Sequence, residues 1–293
     1  MGLYDSILVT GGLGMLAHAF KEVLRGRGLD ARLVSRAECD AADTQSVATT
    51  FERFKPTLLI NCAAYTKVDL AEKEAEAARR ANGIAPGVLA SQCRLHGAAM
   101  VHFSTDYVFD GSLRRPLRPD DPVGPQSAYG RSKLEGERAI QSNPPPRWLI
   151  ARTAWLYGPG GPNFVQTMLN VARAGKPLRV VDDQVGSPTY TFDLAAATLD
   201  LLDRGAAGVW HVANAGETSW FEFAGAIFEQ WALSPDLSPT TSAQWKATKP
   251  DSAVRPAYSV FDLTRVTNLL GRPMRPWRDA LRDYHTTATQ RHE

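Results

Sequence analysis

The sequence predicts an α/β fold: a doubly wound parallel sheet, followed by a smaller C-terminal α/β lobe. Three observations carry this. Short, continuously apolar runs alternate with helical patterns through the first half of the chain, as strands buried on both faces require. The first such run, SILVT at residues 6–10, passes at once into a Gly-rich turn, GGLGMLA, and then into an apolar helical stripe. Polar residues gather where the apolar runs stop, on the side where ligands bind to open parallel sheets.

Taken in order, Gly11, Gly14 and Ala17 give G-x-x-G-x-x-A, and Leu16, Phe20, Val23 and Leu24 continue it as a helix. Glycines there allow a tight turn and close backbone approach to a pyrophosphate. The helix N-terminus adds free N–H groups and positive potential, the signature of a Rossmann-type dinucleotide site. A second strand is expected at Ala31–Ser35. Where an acidic residue would hold the 2′-hydroxyl of NAD, the chain has Ser35 and Arg36. An arginine fork suits the 2′-phosphate, so NADPH is expected, with NADH use left open. Asp40 and Ala41 follow within reach of the adenine side, and Asp43 suits the cap of a helix at 44–54. The third strand, Thr57–Asn61, ends in CAAYTKVD. There, small Ala63 and Ala64 leave room for a cofactor, and Tyr65 and Thr66 offer polar contacts. A helix is expected from Asp69 to Asn82, then a break near Gly83 and another helix from Pro86 to His96.

Residues 98–104 form the fourth strand, and Ser104, Thr105 and Asp106 stand where it runs out. Tyr129 and Lys133 follow at i, i+4 spacing, on one face of a helix reaching about Gln141. A phenol one turn from an ammonium is a candidate proton donor, since a nearby positive charge lowers a tyrosine pKa. Pro144–Pro146 end that helix and RWLIART at 147–153 is the next strand. Beyond it, Trp155 is placed to wall a sugar or a nicotinamide.

The remainder reads as helix at 163–172, a strand and turn leading to helix at 191–202, and a strand at 208–214. Helix at 219–232 is headed by the capping box of Ser219 and Glu222. Residues 234–256 read as a Pro- and Ser-rich loop, and 269–284 as a closing helix. The division expected is a dinucleotide-binding core over 1–155 and, over 156–293, mainly a substrate-binding lobe with interleaved core elements.

The bulk numbers exclude several classes. Among 293 residues, 33 Lys and Arg stand against 31 Asp and Glu, a net charge of +2 with no dense basic run, so no nucleic-acid partner is expected. Three scattered cysteines, Cys39, Cys62 and Cys93, suit reduced thiols. Five of the six histidines, at 18, 96, 102, 211 and 285, lie apart without metal-ligand spacing and are expected to be structural or at the surface. No run is apolar enough to span a membrane, and the opening residues lack the pattern of a signal peptide, so a cytoplasmic location is expected.

These stretches together resemble the extended short-chain dehydrogenase/reductase superfamily and, within it, the dTDP-4-dehydrorhamnose reductase family. The segments NCAAYTKVDLAEKE, FSTDYVFDG, YGRSKLEGE, RTAWLYG, VVDDQVGSPTYTFDLA and RPAYSV have that family's form and order. The resemblance implies reduction of the C4 keto group of dTDP-4-dehydro-L-rhamnose by NAD(P)H, a step toward cell-surface polysaccharide. It makes Tyr129 the acid, has Lys133 hold the nicotinamide ribose, and puts Thr105 on the reacting oxygen in place of the usual serine. Gly14, Met15, Leu16, Ala64, Tyr65 and Thr66 match cofactor contacts. Asp106, Tyr107, Trp155, Gln184, Thr189 and Arg255 are the substrate-side candidates. Some members carry an acidic residue in the first turn after the Gly loop, tied to a Mg²⁺-linked dimer. Here that turn holds His18 and Ala19, so neither that metal nor that dimer is expected, while another homodimer stays possible. Two alternatives stand beside this reading. One is a ketoreductase for another nucleotide-linked 4-keto-6-deoxysugar; the other is a non-catalytic subunit resembling the regulatory subunit of methionine adenosyltransferase.

Overall fold

A computed structural model describes residues 2–290. The first half alternates strand and helix: β1 (Ile7–Thr10), α1 (Met15–Gly26), β2 (Ala31–Val34), α2 (Thr44–Phe54), β3 (Leu58–Asn61), α3 (Ala75–Arg79), α4 (Ala85–His96), β4 (Ala99–Thr105), α5 (Ala128–Ser142) and β5 (Trp148–Thr153). After β6 (Leu156–Tyr157), α6 (Phe164–Arg173), β7 (Leu178–Val181), β8 (Val185–Gly186) and β9 (Thr189–Tyr190), the chain returns to the main sheet through α7 (Thr191–Asp203) and β10 (Gly208–His211). It closes with β11 (Thr218–Ser219), α8 (Trp220–Gln230), β12 (Leu237–Thr240), α9 (Ser242–Thr248), α10 (Thr264–Leu270) and α11 (Trp277–Gln290).

The main sheet has six strands in the order β10-β5-β4-β3-β1-β2, with every pairing parallel. The order reverses between β1 and β3, so a crevice opens at their carboxyl ends. Apolar side chains fill both faces. Val9, Phe20, Ile60, Val101 and Leu199 pack on one side, and Leu8, Phe51, Leu59, Met100 and Ile150 on the other. A separate aromatic cluster, with Tyr157, Tyr190, Phe223, Trp277 and Tyr284 at its heart, holds the C-terminal lobe together.

Three elements differ from the sequence expectation. No break occurs at Gly83: residues 80–84 form a π-helical turn that joins α3 to α4. Its Asn82 is fully buried; the side-chain amide donates to Tyr65 O and Ser132 Oγ at 3.0 Å, and Asn82 Oδ1 accepts from Tyr65 N–H at 2.9 Å. Gly136 of α5 lies so close to this turn that a Cβ would stand 2.1 Å from Asn82 O. The Pro- and Ser-rich stretch is not all loop either, because β12 pairs with β7 and Thr241 caps α9 in a capping box with Gln244. The closing helix is two helices, α10 and α11, since Gly271 takes a left-handed φ of +68° and two prolines follow before Trp277.

One buried ion pair ties the sheet to α5. Arg152 of β5 donates from Nε and Nη2 to the two oxygens of Glu137 at 2.9 and 2.8 Å, and from Nη1 to Pro119 O at 3.0 Å. Its guanidinium also lies 5.0 Å from the centre of the Phe109 ring.

Candidate functional site

A cleft of about 1270 Å³ runs along the carboxyl ends of β1, β3, β4 and β5 and under the C-terminal lobe. At one end is the Gly-rich turn. Gly11 has a φ of +69°, and a Cβ there would meet Ala63 N at 2.7 Å, so the turn folds tightly against the end of β3. Helices α2, α5, α6, α8 and α9 each begin with a side chain capping a backbone N–H, whereas α1 begins at Gly14 with none and no acid in its first turn. Its N–H groups and dipole therefore suit the phosphates of a dinucleotide.

Met15, Leu16, Ala63, Ala64, Tyr65 and Thr66 line this part of the cleft, and Ser35, Arg36, Asp40 and Ala41 line its outer end. Glu38 does not intrude there. It accepts from Ser35 N and Oγ at 2.9 Å and turns toward Arg32. Arg36 is largely exposed, 3.9 Å from Asp40, and Arg80 of the π-helical turn holds the same carboxylate at 2.9 Å. Two guanidiniums thus flank the Asp40 carboxylate at the outer end of the cleft. Arg80 was invisible to motif reading because it comes from a helix 40 residues further along the chain.

Thr105, Tyr129 and Lys133 all line the cleft. The Ser127 side chain caps α5 by accepting from Gly130 N–H at 3.1 Å, so the helix starts one residue before Tyr129. Lys133 is buried, and its ammonium donates to Phe103 O at 2.6 Å. Burial lowers this ammonium to about 8, against a pull upward from Glu137. Tyr129 behaves otherwise than expected. Burial outweighs any help from lysine and pushes the phenol up to about 12, with the Thr105 hydroxyl pulling it down and Asp106 adding to the rise. A firmly protonated phenol is the form an acid needs before it acts.

Asp106 follows Thr105 and is almost fully buried. Thr105 Oγ1 donates to its Oδ1 at 2.9 Å, while its Oδ2 has no partner among the described residues. Burial raises this carboxyl to about 6. A folded-state value above the unfolded one means that the native protein holds the proton more tightly. Stability from this group is therefore fully present below about pH 4 and is lost as pH rises through about 6. Asp106→Asn is expected to stabilise the protein by about 2–3 kcal/mol at about pH 8 and to change little at about pH 4. Thermal unfolding at the two pH values reads the difference; equal shifts at both would mean that the carboxyl is not strained.

The far end of the cleft is aromatic. Trp155 adopts a left-handed φ of +50° and stacks on Trp220, with ring centres 3.5 Å apart and planes within 8°. Such a backbone costs on the order of 1–3 kcal/mol and is held here by the packing around the ring. Tyr107, Gln184 and Arg255 also line the cleft. Gln184 donates to Ser242 Oγ at 2.8 Å, and Arg255 is paired with Asp69 at 2.9 Å rather than standing open. Thr189 is the exception among the expected residues. It is fully buried, donates to Ser187 O at 3.2 Å and does not line the cleft, because β9 turns its side chain into the lobe. Arg179, Trp220 and Trp245 line the cleft without having been singled out, since each comes from a remote element of the lobe. Ser104 Oγ and Thr153 Oγ1, also on the cleft, are buried polar atoms with no partner among the described residues. Among the described residues no group of three His, Cys, Asp or Glu side chains could hold a metal, and no helix is long and apolar enough to cross a membrane.

The RmlD substrate binding domain model matches residues 5–290. The spore coat polysaccharide biosynthesis protein SpsK of Bacillus subtilis is 41% identical over 95% of this chain and 96% of its own. The dTDP-4-dehydrorhamnose reductase of Streptomyces griseus is 41% identical over 94% of this chain and 91% of its own. The dTDP-4-keto-6-deoxy-D-glucose reductase of Streptomyces niveus is 39% identical over 94% and 95%. A crystal structure of a dTDP-4-dehydrorhamnose reductase from Bacillus anthracis in complex with NADP superposes with a TM-score of 0.90, at 33% identity over 96% of this chain and 99% of that one.

Proposed function

The chain belongs to the RmlD substrate binding domain family, and from that membership we propose that it reduces dTDP-4-dehydro-L-rhamnose to dTDP-L-rhamnose with NADPH. The observation that carries the reading is the convergence of Thr105, Tyr129 and Lys133 at the strand ends, beside the uncapped N-terminus of α1. A bound dihydronicotinamide would supply the hydride, which is chemistry no side chain can provide. The residues' share is position and proton. The first turn of α1 and the Gly11 loop hold phosphate, Arg36 and Arg80 flank the 2′-phosphate, and Ala63 and Ala64 keep the floor of the cleft low. Lys133, fixed by Phe103 O, presents its remaining donors to the nicotinamide ribose. As charge builds on the substrate's C4 oxygen, the Tyr129 hydroxyl gives it a proton, and Thr105 Oγ1 turns its one hydrogen from Asp106 to that oxygen. Trp155 and Trp220 wall the sugar, and Gln184 and Arg255 lie toward the nucleotide side. In this reading residues 1–155 form the dinucleotide-binding core, and 156–293 mainly the lobe that selects the sugar. A soluble cytoplasmic enzyme, with homodimerisation open to it, fits the same picture.

A second reading keeps the chemistry and changes the sugar, because a relative named for another 4-keto-6-deoxysugar is nearly as similar as those named for rhamnose. The test is NADPH oxidation followed at the nicotinamide absorbance, with dTDP-4-dehydro-L-rhamnose and, separately, other dTDP-linked 4-keto-6-deoxysugars. Fastest turnover with the first, and NADPH preferred over NADH, is the expected result. Faster turnover with another sugar would move the assignment to it. Cofactor binding without turnover of any would favour a non-catalytic role.

A further inference from the structure

One buried titratable group has no part in this scheme. His102 lies in the middle of β4, 1% exposed. The sheet register sets it beside Asn61 of β3, and Asn61 beside Thr10 of β1, so three polar side chains form a row across three adjacent strands. The row ends at α5, where Lys133 Nζ stands 3.5 Å from His102 Nε2.

The direction of each hydrogen bond in the row follows from one group that can only donate. Ala63 N–H meets Asn61 Oδ1 at 3.2 Å, and Thr10 Oγ1 donates to the same oxygen at 2.7 Å. With the oxygen fixed there, Asn61 Nδ2 faces His102 Nδ1 at 3.0 Å. An amide NH₂ has no acceptor capacity, so Nδ1 accepts. Burial, with the neighbouring Lys133 ammonium, keeps the imidazole neutral, and its single proton therefore sits on Nε2, facing Lys133. An ammonium has three donors and no acceptor. Nε2–H finds an acceptor only when Lys133 is a neutral amine.

We propose that His102 is a positioning residue for proton transfer: its tautomer, fixed through Asn61 by Ala63 N–H, opposes the charged form of Lys133 and makes it a ready proton donor beside Tyr129. In turnover one N–H bond breaks at Lys133, one O–H bond forms at the phenolate left on Tyr129, and the amine regains its proton from water. The other charged and titratable groups facing Lys133 and Tyr129 are few. Glu137 lies one turn on along α5, bound by Arg152 of β5, and favours the charged amine. Asp106, past the end of β4, faces Tyr129, as does the Tyr107 ring, edge-on at 5.5 Å. Asn82 and Ser132, where the π-helical turn packs on α5, are neutral.

The proposal rests on the assignment of Lys133 to the reaction, and its first test needs no substrate. In protein labelled with ¹⁵N in the histidine rings, His102, assigned by its loss in His102→Phe, should show a proton on Nε2 alone and no titration between about pH 6 and pH 9. A proton on Nδ1, or a cationic ring, would overturn it. The second test is the pH profile of kcat/KM for NADPH oxidation. Activity of the native enzyme should fall on the alkaline side near the Lys133 value of about 8. In His102→Phe, which removes the opposing donor, that limb should move up by roughly one pH unit. His102→Gln, whose amide can turn its oxygen to Lys133, should move it the same way. A lower rate with the limb unmoved in both variants would make His102 a packing residue and end the proposal. The ring measurement needs only one folded variant for its assignment, His102→Phe or His102→Gln, and it stands whichever sugar proves to be the substrate.

Discussion

Tyr129→Phe is expected to lower kcat about 10²–10⁴-fold while the dissociation constant for NADPH stays within about twofold of the native value. The substitution removes one oxygen and leaves the ring in its place against Tyr107 and the alanines at 71, 78 and 128. The hydroxyl is needed only as charge appears on the substrate oxygen, so its loss belongs in kcat rather than in binding. Thr105 remains to stabilise the oxygen by hydrogen bond, and positioning survives, which leaves activity above background. Steady-state rates with fluorescence titration of NADPH separate the two quantities. A kcat within a few-fold of native would mean that the proton comes from another group.

The largest effect on stability is expected at the other end of the same helix. Arg152→Ala removes the partner of Glu137, whose carboxylate is 1% exposed and would be left charged without its cation. It also frees Pro119 O and the face of Phe109. A loss of about 3–5 kcal/mol follows. The penalty comes from stranding a charge, so Arg152→Met combined with Glu137→Leu should cost much less than Arg152→Ala alone. Denaturant unfolding of the three variants decides the point. Equal losses in the single and the double variant would show that packing, not the unpaired carboxylate, sets the cost.

The sequence made the cofactor end of the cleft legible because that end is built from local pattern. Gly11, Gly14, Ala63 and Ala64 all lie within four residues of a strand's end, and strand ends are where apolar runs visibly stop. Tyr129 and Lys133 were legible for the same reason, being one helical turn apart. Arg80 and Trp220 were not, since only the packed fold brings the π-helical turn to Asp40 and α8 to Trp155. Thr189 shows the limit within a motif: it shares a run with Gln184, yet its two-residue strand turns it away from the cleft. His102 was passed over because a single polar residue in an apolar strand carries no pattern, and its role depends on the register that lines it up with Asn61. The effect of lysine on the phenol was also out of reach, because burial, which decides it, is a property of the folded chain.

The π-helical turn at 80–84 carries a constraint of a different kind, one of length. A π turn holds one more residue than the α turn it replaces. Removing a residue there would restore an ordinary helix, but it would rotate everything before it by about 100° relative to α4. Arg80 would leave Asp40, and Asn82 would leave Tyr65 and Ser132. Shortening the segment by one would thus unmake one wall of the cleft without changing any residue in it, so this helix, continuous to the eye, should resist deletion as strictly as a catalytic loop.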